Sequence, residues 1–254
     1  MINAFRVIWK TAKSIWEDML LLVLMNALTF LCALPAAIAV YFALSLAPNA
    51  LLAFAFSLVV LIPTTIPFAG AWAALNATCN RVANGFAISW EFFFTNFKQY
   101  IWKWWRYVVF SLAVFGLLAL NFVWYPTVFG DEPWVAWVQG AWLAAIAFWV
   151  SMQFYVFPFY IEQETKSWKV AVRNAALVAG ANPLFTLVLV ALAAALTAVA
   201  LLVVPPVFVL LGWLFWAMTG NEAVINRIQA FRNRLETEQK KKQPQAPKRN
   251  DPLS

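Results

Sequence analysis

The sequence predicts an all-α protein: a polytopic integral membrane bundle of about six transmembrane helices, with an amphipathic helix lying in the interface at its N-terminus. Two observations carry that prediction. The chain of 254 residues is 64% hydrophobic and 11% charged, with a mean hydropathy of +0.74, and several apolar runs exceed the ~20 residues that cross a hydrocarbon core of about 30 Å. Its 18 Lys and Arg residues fall in segments that can all lie on one side of a bilayer.

Residues 1–18 read as a helix because Ile2, Phe5, Trp9, Ala12 and Trp16 recur at three- and four-residue spacing, opposite Asn3, Arg6, Lys10, Lys13 and Glu17. That pattern suits a helix at the membrane surface. The next apolar run, Met19 to Leu46, is longer than the roughly 7 to 15 residues of a cleavable leader and is expected to stay as the first span. Pro35 breaks it, and Pro48-Asn49 turns the chain. A second span runs from Leu51 to about Leu75 and carries Pro63 and Pro67, tolerated where hydroxyls such as Thr64 and Thr65 satisfy the freed backbone groups. A polar, aromatic-rich stretch to about Lys103 precedes the third span, Trp105 to Tyr125, which closes at Pro126 and the acidic turn from Gly130 to Pro133.

The fourth span covers Trp134 to Tyr160. After the charged stretch Glu162 to Arg173, Asn182-Pro183 reads as the cap and first-turn proline of a fifth span ending near Val203. Pro205-Pro206 turns the chain into a sixth span of marginal length, through Trp213 and Trp216 to about Met218 or a few residues beyond. From about Leu235 the tail is polar and basic, with Lys240, Lys241, Lys242 and three prolines, a composition that predicts disorder. The chain thus divides into an interfacial helix (1–18), a membrane domain (19–225) and a basic tail (226–254).

The basic residues number three in the first helix, four from Arg81 to Arg106, three from Lys166 to Arg173 and eight from Arg227 onward. The turns around Pro48, Asp131 and Pro205 hold none, so the positive-inside bias places both termini and the two longer loops in the cytoplasm. Six spans satisfy this and five would export the basic tail. Trp134 and Trp137 at the outer end of the fourth span, and Trp102, Trp104 and Trp105 at the inner end of the third, suit the two interfacial belts.

Little in the sequence points to chemistry. With no His, a Ser-His-Asp triad is excluded, and no phosphate-cradling loop, nucleophile elbow or zinc-protease helix occurs. Cys32 and Cys79 have no CxxC partner. No enzymatic activity, cofactor or metal is expected. Ionisable residues fall in loops and at span ends, so no carboxylate is expected within the membrane to carry a proton or sodium ion. The polar residues inside the spans, among them Asn26, Asn121, Gln139 and Gln153, serve either as helix-to-helix hydrogen bonds or as the lining of a polar path.

Trp90, Phe93, Phe94, Phe97, Ile101 and Trp104 form one helical stripe with Lys98 and Lys103 on other faces. It fits either a helix anchored on the inner leaflet or a groove-docked partner. The basic residues sit beside a bilayer whose anionic inner leaflet already offers them partners, and nucleic acid is not expected. Asn174 to Ala181 is similar to a depleted copy of the cytoplasmic EAA loop of ATP-binding-cassette importer permeases. The alanines and Gly180-Ala181 fall at the right spacing, whereas Asn174 and Ala179 replace the acidic residues.

The runs PTTIPFAGAWAALNATCNRVANG and WEFFFTNFKQYIWKWWRY, with NFVWY, FYVFPFYIEQE and WKVAVRNAALVAGANPLFTL further on, resemble the YesL-like family of uncharacterised bacterial multi-pass membrane proteins. The resemblance spans roughly Asp18 to Arg227 and is carried by Thr65, Pro67, Ala74, Arg81, Phe93, Phe97, Tyr160 and Asn174. Ile66-Pro67 stands where many relatives have Gly-Pro. It implies a bacterial cell-membrane protein, associated with carbohydrate importers and of no established activity. The resulting expectation is a non-enzymatic accessory, scaffold or regulatory protein of carbohydrate uptake. It would dock importer subunits or another copy of itself through Arg81, Trp90, Phe93, Phe97, Lys98, Lys169 and Arg173. The alternative is a permease-like importer subunit with a path lined by Asn26, Asn121, Gln139 and Gln153.

Overall fold

A computed structural model describes residues 2–130, 132–203 and 205–242, and these fold into helices joined by short turns. In chain order they are α1 (Ile2–Glu17), α2 (Met19–Leu46), α3 (Ala50–Thr64), α4 (Ile66–Ala83), α5 (Trp90–Phe129), α6 (Pro133–Glu162), α7 (Trp168–Ala181), α8 (Pro183–Val203) and α9 (Pro205–Lys242). Four of them, α2, α5, α6 and α8, are long and apolar enough to cross a membrane, and α3 with α4 makes a fifth if the pair, bent by 63°, counts as one span. Large apolar side chains point outward around the bundle, including Leu31, Phe42, Leu117, Trp137, Leu187 and Leu202. In water such a surface would drive aggregation; in hydrocarbon it is the expected exterior.

Several boundaries differ from those the local sequence suggests. Pro35 lies inside a continuous α2, since one missing N–H leaves a single carbonyl unpaired and the packed bundle tolerates it. Pro63 and Pro67 instead bracket a true bend at Thr65, beside which three carbonyls of the preceding turn take side-chain donors. Thr64 Oγ1 donates to Val60 O (2.6 Å), Thr65 Oγ1 to Leu61 O (2.7 Å), and the Trp105 indole to Ile62 O (2.7 Å).

The aromatic stretch before the third span does not form a separate surface helix: α5 is one helix of 40 residues, about 60 Å long at 1.5 Å per residue. No Gly or Pro interrupts it between Trp90 and Arg106, and Phe93, Asn96, Tyr100, Trp104 and Tyr107 keep one inward stripe through the whole segment. Helix α9 likewise runs on to Lys242, through the stretch from Leu235 where disorder is predicted. The rest of that tail, 243–254, and the turn residue Asp131 lie outside the described residues.

Helix α4 is the centre of the bundle and touches α2, α5, α6 and α9. Its residues are small enough to be surrounded: Ala69, Gly70, Ala71, Ala73, Ala74 and Ala77 are all buried, and small side chains let backbones approach without a hydrophobic drive between helices. At Gly70 an added Cβ would stand 2.9 Å from the Phe97 ring and 3.1 Å from Ile101. One side of α4 packs into an aromatic core with Tyr100, Trp104, Tyr155, Phe157 and Tyr160, which α7 closes through Ala171, Ala175 and Ala179. The other side meets Leu22 and Met25 of α2, Phe93, and Leu214 and Met218 of α9.

Candidate functional face at the basic end of the bundle

Long-range contacts gather the basic segments at one end of the molecule. Lys10 of α1 reaches Glu222 of α9, Asn80 of α4 reaches Glu162 of α6, Arg227 of α9 stacks over Phe185 of α8, and Trp104 of α5 meets Trp168 of α7. These helix-to-helix contacts bring the basic segments into one face.

Arg81 is exposed but also engaged within the chain. Its Nε donates to Ala87 O at 2.6 Å, and its guanidinium lies 4.6 Å from the Phe92 ring centroid. It closes the turn from α4 into α5, a cation–π and hydrogen-bond latch. Asn80 and Asn84 both donate to Glu162 Oε1, at 2.7 and 3.3 Å, and tie the same turn to the end of α6. Ser89 caps α5, its Oγ accepting from Phe92 N at 3.2 Å, which fixes where the aromatic stripe begins.

The predicted docking stripe is largely used within the chain. Phe93 is fully buried and cannot belong to an exposed docking surface, because it fills the space between α2, α4 and α9. Phe97 is half-buried over Gly70. What remains outside is the adjacent edge: Trp90 is 39% exposed and stacks on Phe94, itself 46% exposed, with Lys98 one turn on. Lys169 and Arg173 lie elsewhere on the face, one turn apart on α7. They share a cleft of about 530 Å³ with Arg106 of α5, walled by Tyr107, Phe110, Trp168 and Val172. Trp168 forms its floor, stacked on Tyr160 (3.7 Å) and on Tyr107 (4.9 Å). The Lys169–Arg173 spacing is legible in the sequence; the approach of Arg106 to it is not, since only the α5–α7 packing creates it.

The four polar residues proposed for a path are not brought together. Asn26 is buried and clamps α9: its Nδ2 donates to Val209 O (2.8 Å) and its Oδ1 accepts from Leu214 N (2.6 Å). Asn121 donates to Leu117 O on its own helix, and Gln139 reaches across to Phe122 O at 3.4 Å. Gln153 accepts from the Tyr107 hydroxyl at 2.6 Å and donates to Trp149 O. Each amide is engaged by the protein's own groups, and no two of the four are hydrogen-bonded to each other.

Glu222, a carboxylate near a span end, is buried within the protein. It is 1% exposed on α9, accepts from Ser14 Oγ at 3.0 Å and pairs with Lys10 Nζ at 2.7 Å. Its neighbour Asn221, also buried, donates to Ala217 O (2.8 Å) and to Asn76 O of α4 (3.2 Å). The expected end of the second span near Leu75 lies one residue before Asn76; the apolar run Ala223-Val224-Ile225 after Glu222 is the sequence signal that α9 continues inside the bundle past Met218. Among the described residues no group of three His, Cys, Asp or Glu side chains stands close enough to hold a metal. Comparison of the chain with protein-family models, curated proteins and solved structures found no match in any of the three.

Proposed function

We propose that this protein is a non-enzymatic, six-pass protein of the bacterial cell membrane with both termini in the cytoplasm, acting as an accessory or scaffold component of carbohydrate uptake. Six passes require α3–α4 to count as one span and the first half of α9 as another. The carbohydrate context comes from the resemblance to YesL-like proteins. The observation that carries the scaffold reading is the exposed edge Trp90, Phe94 and Lys98. Since α5, at about 60 Å, is about twice the hydrocarbon thickness, its first turns extend past the apolar region and offer this edge outside it. Clustered aromatic residues beside a cation are the composition of an interface anchor.

The test is purification of the tagged chain from its native membrane in mild detergent. A carbohydrate importer's ATPase and solute-binding protein are expected in fixed ratio, and to be lost when Trp90→Ser, Phe94→Ser and Lys98→Glu are combined. Recovery of the chain alone overturns the reading.

One observation favours the permease-like alternative. Helix α7 is a separate helix of 14 residues between α6 and α8 that buries Ala171, Ala175 and Ala179 and exposes Leu177, the form of a coupling helix. Leu177→Asp abolishing ATPase recovery, with the α5 variant retaining it, would favour that alternative.

A further inference from the structure

The cleft between α5 and α7 is graded from charge to hydrocarbon. Arg106, Lys169 and Arg173 line it, no carboxylate does, and none of the three is ion-paired among the described residues. Phe110, 52% exposed, stands one turn along α5 from Arg106, and Val172 lies between the two cations of α7. The first turn of α7 adds the positive end of its dipole beside Lys169. Among the described residues no salt bridge neutralises these three like charges, and the stacked Trp168 holds the floor in place without a ligand.

We propose that this cleft binds one anionic glycerophospholipid, its phosphate held by Arg106, Lys169 and Arg173 and the start of an acyl chain laid against Phe110 and Val172. Arg106 is the last charged residue before the apolar run of α5, which sets the cations at headgroup depth and Phe110 within the hydrocarbon. Basic pockets between helices at that depth are where anionic headgroups bind. A free phosphate or an acidic peptide would engage the cations but leave the Phe110 wall uncovered, and a zwitterionic lipid would bring an ammonium toward three positive charges. The inference rests on the membrane placement of α5 and on no protein partner, so failure to capture importer subunits leaves it standing.

The full chain, purified in detergent and stripped of lipid, is titrated with phosphatidylglycerol, cardiolipin or phosphatidylcholine while native mass spectrometry counts bound lipid. Saturable binding of the two anionic lipids is expected, at least tenfold tighter than phosphatidylcholine. At about fivefold per cation, the combined variant Arg106→Gln, Lys169→Gln, Arg173→Gln loses on the order of 100-fold. A variant removing as many cations outside the cleft, Lys13→Gln, Lys103→Gln, Arg232→Gln, keeps the wild-type affinity. Equal binding of phosphatidylcholine, an unaffected cleft variant, or an equal loss in the control variant overturns the proposal. Displacement of phosphatidylglycerol by inorganic phosphate or by a poly-glutamate peptide at matched concentration also overturns it, in favour of a soluble anion. Should the cleft variant fail to purify as a single species, the lipid competition on the wild-type chain decides alone.

Discussion

Lys10 and Glu222 form an ion pair of 2.7 Å between the first and last helices, with the carboxylate 1% exposed and the lysine side chain 47% exposed. The asymmetry sets what each substitution does. Lys10→Met leaves a buried carboxylate with only the Ser14 hydroxyl, and is expected to destabilise by about 1 to 3 kcal/mol; the upper figure for an unmatched buried charge is reduced because the pair is open to water on one side. Glu222→Gln keeps the Ser14 bond and removes the charge, so it costs less. The double variant is expected to be more stable than Lys10→Met alone, read from thermal unfolding in detergent.

Two glycines on the helices flanking the aromatic core rank differently. A Cβ at Gly220 of α9 would stand 2.5 Å from the carbonyl oxygen of Phe154, which belongs to the α6 backbone, whereas at Gly70 it meets the ring edge of Phe97. A ring can turn and a helix backbone cannot. Gly220→Ala is therefore expected to lower the melting temperature more than Gly70→Ala, whose overpacking costs about 1 to 3 kcal/mol. Gly140→Ala, with nothing within 4 Å, is the neutral reference. Equal melting temperatures for all three would refute the close packing of α6 on α9.

What the sequence reveals about this chain is whatever accumulates along it. The runs of α6 and α8 show their hydrophobic length directly, and their ends are legible to within a few residues. The stripe from Trp90 to Trp104 is equally visible, because helical spacing is local. Its destination is not: the same spacing buries a stripe against a neighbour or a bilayer, and only the small residues of α4, gathered at Ala69 to Ala77, supply the surface that receives Phe93 and Phe97. Asn26 and Leu214, or Arg106 and Arg173, are far apart in the chain, and no periodicity relates them. Glu222 is hidden for another reason, since a charged residue near a presumed span end reads as solvated until its partner on α1 is seen.

Asn26 tests whether the polar residues of the spans transport or hold. As a clamp between α2 and α9, Asn26→Leu removes two bonds and is expected to destabilise by about 1 to 2 kcal/mol. Asn121→Leu removes only a bond to its own helix, so its melting temperature should stay within error of the wild type. A stable Asn26→Leu protein would contradict the clamp and revive the polar-path reading.

The number of crossings turns on α9. Its apolar start, from Pro205 to Met218, is about 21 Å long at 1.5 Å per residue, short of the ~30 Å hydrocarbon core. The turns that follow remain in the bundle because polar groups there find partners inside it: the Asn221 side-chain N–H on Asn76 O, and the Glu222 carboxylate on Lys10 and Ser14. Those contacts extend the inserted length through Ile225, which is buried, and make a full crossing feasible. On the six-span proposal the chain crosses between Glu132 and Arg232 with α6, α8 and α9, an odd number, which puts the two positions on opposite sides. In a background with Cys32→Ala and Cys79→Ala, Glu132→Cys should react with an impermeant maleimide on intact cells, and Arg232→Cys only after permeabilisation. Labelling of both from one side would mean that α9 returns without crossing, leaving five spans and the basic end of α9 on the outer face, against the positive-inside bias.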